Sequence, residues 1–138
     1  MTWTTNYGNP GEEALELMIS HMDRIGLRNA AMYLYREPIV YSEGDKIELP
    51  ETMQLRCVIK YGELFTIPAD KKECPVAEIY SRSELPVERQ GYISYPLFYG
   101  KYLFGMLVCG ADEKLFEIGE FLTFQLGRSI YMNWVSTS

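Results

Sequence analysis

The sequence predicts an α+β domain: an antiparallel sheet bracketed by an amphipathic helix near each end of the chain. Three observations predict it. Apolar residues recur at helical spacing in the segments 10–26 and 113–135. Between them lie short runs rich in Tyr, Leu, Ile and Val, two of which meet at glycine turns. The chain has 138 residues, 47% of them apolar, which is one domain of ordinary size with enough material for a core.

Residues 1–9 read as a flexible lead-in, and the domain proper as 10–135. Asn9-Pro10-Gly11-Glu12-Glu13 carries helix-start chemistry: a capping Asn, a Pro just inside, and acids against the positive end of the helix. Leu15, Met18, Met22 and Ile25 then form one stripe, and Gly26 ends the helix. Ala30 to Tyr35 is apolar throughout, as a central strand covered on both faces would be, and Glu37-Pro38 interrupts it. Residues 39–52 are expected to be irregular. In Gln54 to Lys60, Leu55, Cys57 and Ile59 are expected on one face and Arg56 and Lys60 on the other, with Val58 the exception. Tyr61-Gly62-Glu63 turns the chain back.

Residues 68–90 form a long polar piece with three prolines and one candidate helical turn near Val76 to Ser81. Tyr92 to Phe98 and Tyr102 to Cys109 make a hairpin around Tyr99-Gly100-Lys101. Pro96 lacks a ladder donor and belongs at an edge or a bulge; Gly105 marks a close backbone approach or a bend. In the last helix, Leu115, Ile118, Leu122, Leu126 and Ile130 form the stripe that faces the sheet. Phe121, Phe124, Tyr131 and Val135 form a second one on roughly the opposite side. A helix that is apolar on two sides needs a second partner: the first helix, another subunit or an adjoining domain. Residues 136–138 read as a tail toward an output domain outside this chain.

Net charge is −6, and such a surface disfavours nucleic acid and anionic membranes. No secretory leader or apolar run of bilayer length is evident, so a cytoplasmic location is expected. Three dispersed cysteines, Cys57, Cys74 and Cys109, fit neither a disulfide framework nor a zinc site and read as reduced thiols. His21, the single histidine, reads as a boundary residue of the first helix; no metal, cofactor or catalytic group is expected.

The run Tyr95-Pro96-Leu97-Phe98, a turn at Gly100, then Phe104-Gly105-Met106-Leu107-Val108 and a helix carrying Gln125-Leu126-Gly127-Arg128-Ser129-Ile130 resembles the C-terminal half of GAF domains. Leu27 to Tyr35, after an amphipathic helix, matches the early part, and the likeness runs over most of residues 12–135. It is similar in particular to GAF-like sensor segments that precede GGDEF (diguanylate cyclase) or helix-turn-helix output domains in bacterial signalling proteins. The resemblance implies a central antiparallel sheet of five to six strands with the N- and C-terminal helices packed on one face. It also implies a non-catalytic regulatory module that binds a small molecule, or only dimerises, and relays through its terminal helices.

In such a fold a ligand would sit between the sheet and the variable loops. Tyr33, Tyr35, Tyr80, Tyr92 and Tyr95 are the candidate lining, with Arg56 and Arg82 as polar anchors. Packing of these tyrosines in the core is the competing reading. A homodimer interface is expected through Phe121, Phe124, Arg128, Tyr131 and Val135. An enzyme alternative is a GAF-fold thiol enzyme such as a free-methionine sulfoxide reductase, which would need Cys57 and Cys74 to meet.

Overall fold

The computed structural model describes residues 29–40, 49–65, 73–82, 85–86, 91–110 and 113–136. The helix expected over 10–26, with His21, lies outside the described residues. The elements are β1 (Ala30–Val40), β2 (Thr52–Lys60), β3 (Glu63–Phe65), β4 (Glu73–Pro75), a 3-10 turn (Val76–Glu78), α1 (Ile79–Arg82), β5 (Tyr92–Tyr99), β6 (Tyr102–Gly110) and α2 (Glu113–Ser136). All strand pairs are antiparallel. The sheet order is β3-β2-β1-β6-β5, with β4 also paired to β2.

β1 is central because it is apolar on both faces. Ala30, Met32 and Leu34 belong to a core that α2 shares through Leu122, Leu126 and Ile130. Ala31, Tyr33 and Tyr35 belong to a second core with Met53, Leu55, Val58, Cys74 and Ile79. Alternation along one strand thus feeds two buried layers. The stripe expected to face the sheet is met by Leu122, Leu126 and Ile130.

Two sequence expectations are corrected by bulges. Met32 pairs with Cys57, but Tyr33 pairs with Leu55, so Arg56 is an extra residue opposite nothing on β1. That insertion breaks the two-residue period. Leu55 therefore joins the second core with Val58, while Cys57 and Ile59 stay in the first. Likewise β1 does not end at Tyr35. It continues to Val40 past Pro38, across an irregularity between Leu34 and Ile39.

The β5–β6 hairpin closes on Gly100-Lys101, flanked by the Tyr99–Tyr102 pair. Gly100 has φ +61 and Lys101 is not among the positive-φ residues, the pattern of a II′ turn. Tyr61 (φ 53) and Gly62 (φ 80) both lie in the left-handed region, the pattern of an I′ turn between β2 and β3. The backbone N–H of Tyr61 donates to Asn29 Oδ1 at 2.9 Å. Gly105 is the close approach that its place in the strand suggested: a Cβ there would lie 1.9 Å from the Tyr33 carbonyl oxygen. Pro96 is exposed on β5, the last strand of the order, where a missing donor costs no ladder bond.

The helical turn expected near Val76 to Ser81 is present as the 3-10 turn and α1. β4, just before it, was not foreseen. It places Cys74 opposite Met53 and brings the polar segment onto the edge of β2.

Candidate functional site

α2 packs mainly on β5 and touches β6. It approaches closely because it turns small residues to the strand. Gly119, Thr123 and Gly127 recur every four residues and are all buried. A Cβ on Gly127 would lie 2.3 Å from the Phe98 carbonyl oxygen, and one on Gly119 would lie 2.8 Å from the Tyr95 hydroxyl. This small-residue row stands in the sequence at helical spacing, beside the larger apolar stripe.

The other side of α2 is only half covered. Phe121, Phe124, Met132 and Val135 are each about half exposed, and Arg128 is exposed. Phe98 on β5 is exposed to the same degree. Between strand and helix runs a groove of ≈ 590 Å³ lined by residues that include Tyr95, Pro96 and Phe98 from β5 and Glu120, Phe121 and Phe124 from α2. A smaller hollow of ≈ 360 Å³ lies at the hairpin tip beside Phe98, Lys101 and Tyr102.

Of the five residues assigned to an interface, the structure leaves Phe121, Phe124, Arg128 and Val135 facing outward. Tyr131 is only partly exposed, engaged with Tyr99 (5.0 Å between ring centroids), Tyr102 (5.8 Å) and Trp134 (6.1 Å). Tyr102 also meets Trp134 edge-on at 4.9 Å. These rings fasten the hairpin tip to the last turns of α2. Phe98 and Met132 were missed as surface residues. Side-chain type alone does not tell an exposed phenylalanine from a buried one.

The residues assigned to a ligand site divide between the faces. Tyr33 is fully buried on the second face and donates from its hydroxyl to the Ile79 carbonyl at 2.8 Å. Tyr35 is buried beside it, and burial pushes its hydroxyl pKa up. Tyr92 packs on the same layer, with its hydroxyl donating to the Pro86 carbonyl. Tyr80 is exposed on α1 and donates to Ser94 Oγ at 2.9 Å. Arg56, at the bulge, donates from Nη2 to Gln54 Oε1. Arg82 closes α1, and its side chain lies outside the described residues. Tyr95 is on the opposite face, packed against the first core and stacked over Gly119. Its hydroxyl pKa is raised by burial, then by Cys109 and Glu120. The three-residue step from Tyr92 to Tyr95 already implies opposite faces in a period-two strand.

The cysteines do not converge. Cys57 lies in the first core and Cys74 in the second, across the sheet from each other. The expectation that they could meet is corrected by this placement. All three are buried thiols, none of them in a disulfide. Burial pushes the thiols of Cys57 and Cys109 up to about 12, far from a thiolate at neutral pH. Among the described residues no cluster of three His, Cys, Asp or Glu side chains is placed to hold a metal ion. No helix among them is long and apolar enough to cross a membrane.

No family model, curated protein or solved structure matches this chain. The functional reading rests on the geometry above.

Proposed function

We propose that this chain is a regulatory homodimerisation module of GAF-like type, in which the outward apolar side of α2 is the contact between subunits. The observation that carries the reading is that side itself. A helix of 24 residues is buried along one stripe and yet keeps Phe121, Phe124, Met132 and Val135 about half exposed on the other. A signalling role follows from the connection between the two sides. A shift at the subunit contact moves α2 as a rod, and the aromatic rings at Tyr99, Tyr102, Tyr131 and Trp134 carry that movement into the β5–β6 hairpin.

The finer fold belongs to the same proposal. α2 covers mainly the β5 side of the first face, yet Met32, Leu34, Cys57 and Ile59, on β1 and β2 of that face, are fully buried. The amphipathic segment 12–25, through Leu15, Met18, Met22 and Ile25, has the pattern to be their cover. That would give two helices on one face, as in the GAF-like arrangement.

Two forms of the module differ in whether a small molecule enters. The burial of Tyr33 and Tyr35, with the Tyr33 hydroxyl already engaged by Ile79, supports a ligand-free relay at those residues. A thiol enzyme is the least supported form, because the candidate sulfurs are buried on opposite faces.

Phe124→Glu tests the reading. It places a charge on the outward side and removes the ring contact with Tyr99 (5.7 Å between centroids), while the fully buried core residues keep their side chains. The variant is expected to keep its circular dichroism spectrum and to sediment as a monomer at micromolar concentration, where the parent is a dimer. Native mass spectrometry of the same samples reports any retained small molecule. A parent protein that sediments as a monomer at about 50 µM removes the proposal.

A further inference from the structure

The exposed side of α2 carries a charge pattern that specifies how two copies meet. Glu120, Phe124 and Arg128 are successive members of one row at four-residue spacing, and all three are exposed. Phe124 is the twelfth of the 24 residues of α2, so it sits at the middle of the helix. Glu120 and Arg128 stand equally far from it, one turn toward each end, with opposite charge. Neither makes an ion pair with a described residue, and two turns of helix keep them from reaching one another.

We infer that two copies pack their α2 helices antiparallel about a two-fold axis at Phe124, with Glu120 of each copy paired to Arg128 of the other. The inference rests on the dimer reading above and adds its orientation. A parallel two-fold pairing of the same surface would set Glu120 against Glu120 and Arg128 against Arg128. Antiparallel pairing turns both repulsions into attractions. Rows at four-residue spacing interdigitate when helices cross at about −50°, the commonest class of helix packing.

Two further features fit a second copy as the occupant. The five side chains Phe98, Phe121, Phe124, Met132 and Val135 leave roughly 400–500 Å² of apolar surface open, taking half of a typical large side chain for each. That is about half of the ~800 Å² per partner that a stable interface uses. Phe121 and Gly127 are also equidistant from Phe124. Phe121 of one copy therefore arrives level with Gly127 of the other, where α2 backs onto Phe98 beside the ≈ 590 Å³ groove. One consequence is that the C-terminal ends of the two helices leave from opposite ends of the dimer. Movement relayed along α2 is then delivered at two separate places.

The experiment is a charge-reversal cycle on the full chain, read as the dimer dissociation constant by sedimentation equilibrium. Each single change, Glu120→Arg or Arg128→Glu, replaces two attractions with two repulsions at the exposed rim and is expected to weaken the dimer by about tenfold. The double variant is expected to return to within about threefold of the parent. Spin labels on Val135→Cys give an independent reading, since the three native thiols are buried. At 1.5 Å per residue the antiparallel dimer separates the labels by roughly 30 Å, and a parallel one by less than about 20 Å. A dimer that is indifferent to the single reversals, is not rescued by the double one, or holds its labels close overturns the orientation and leaves the dimer reading in place. A monomeric parent overturns both.

Discussion

Two glycines of α2 face β5 eight residues apart, and alanine at the two sites should act in opposite directions. At Gly127 a methyl group would lie 2.3 Å from the carbonyl oxygen of Phe98 and 3.0 Å from its carbonyl carbon. These are backbone atoms of a strand held by its ladder to β6. Relief must come from α2 moving outward by about 1 Å, which loosens Leu126 and Leu122. Overpacking of this kind costs about 1–3 kcal/mol, and a backbone clash belongs at the upper end. Replacing a mid-helix glycine by alanine returns about 1 kcal/mol. The net expectation for Gly127→Ala is a loss of about 2 kcal/mol. At Gly119 the obstacle is the outer end of the Tyr95 ring, 2.8 Å away at its hydroxyl. A partly exposed side chain rotates aside at small cost, so the helix gain prevails and Gly119→Ala is neutral or stabilising by up to about 1 kcal/mol. Urea unfolding of both variants beside the parent measures the difference directly. A Gly127→Ala protein as stable as the parent would mean that the helix is not seated on the Phe98 backbone, and the argument for a fixed α2 rod would go with it.

Tyr33→Phe removes the hydroxyl that satisfies the Ile79 carbonyl in a fully buried site, and should cost about 1–2 kcal/mol in the same assay. Tyr61→Asn, at a turn position with φ 53, should gain about 0.5–1 kcal/mol, because asparagine tolerates the left-handed region better; a loss would argue against the I′ turn. The buried thiols predict alkaline sensitivity. Their folded pKa of about 12 lies above an ordinary value near 9.0, with burial as the cause. The unfolded chain therefore releases these protons first. The contribution is fully present below pH 9 and is lost as pH rises toward 12. Each thiol lowers stability by up to about 1.4 kcal/mol per pH unit in that window. Cys109→Ala should flatten the dependence relative to its own stability at pH 7, and an unchanged slope between pH 9 and 10.5 would contradict the burial of that sulfur.

Much of the architecture was legible because its signals are local. The β5–β6 hairpin followed from two apolar runs around Gly100, and α2 from Leu122, Leu126 and Ile130 at helical spacing. Central β1 followed from a run with no polar face. The candidate surface was partly legible: Phe121, Phe124, Arg128 and Val135 were assigned to it and are exposed, whereas Phe98 and Met132 were not assigned. Tyr131 was assigned with them, but its neighbours on the hairpin tip hold it in place. Its exposure depended on Tyr99 and Tyr102, some thirty residues earlier in the chain.

The sequence by itself determined β2, β5, β6, α2 and the central part of β1, where the hairpin turns fall, and that α2 has two apolar sides, because each of these depends on the period and conformational limits of neighbouring residues; β4 and the run of β1 to Val40 depend on pairing with distant strands. Only the tertiary structure decided the phase of the faces and the division of the tyrosines. Arg56 becomes the extra residue of a bulge only when β2 is laid against β1, and Leu55 changes face as a result. Tyr33 becomes structural only when Ile79, 46 residues away, brings its carbonyl over the second face. Register, burial and partner choice arise between segments distant in the chain, and the energy that fixes them exists only once those segments are in contact.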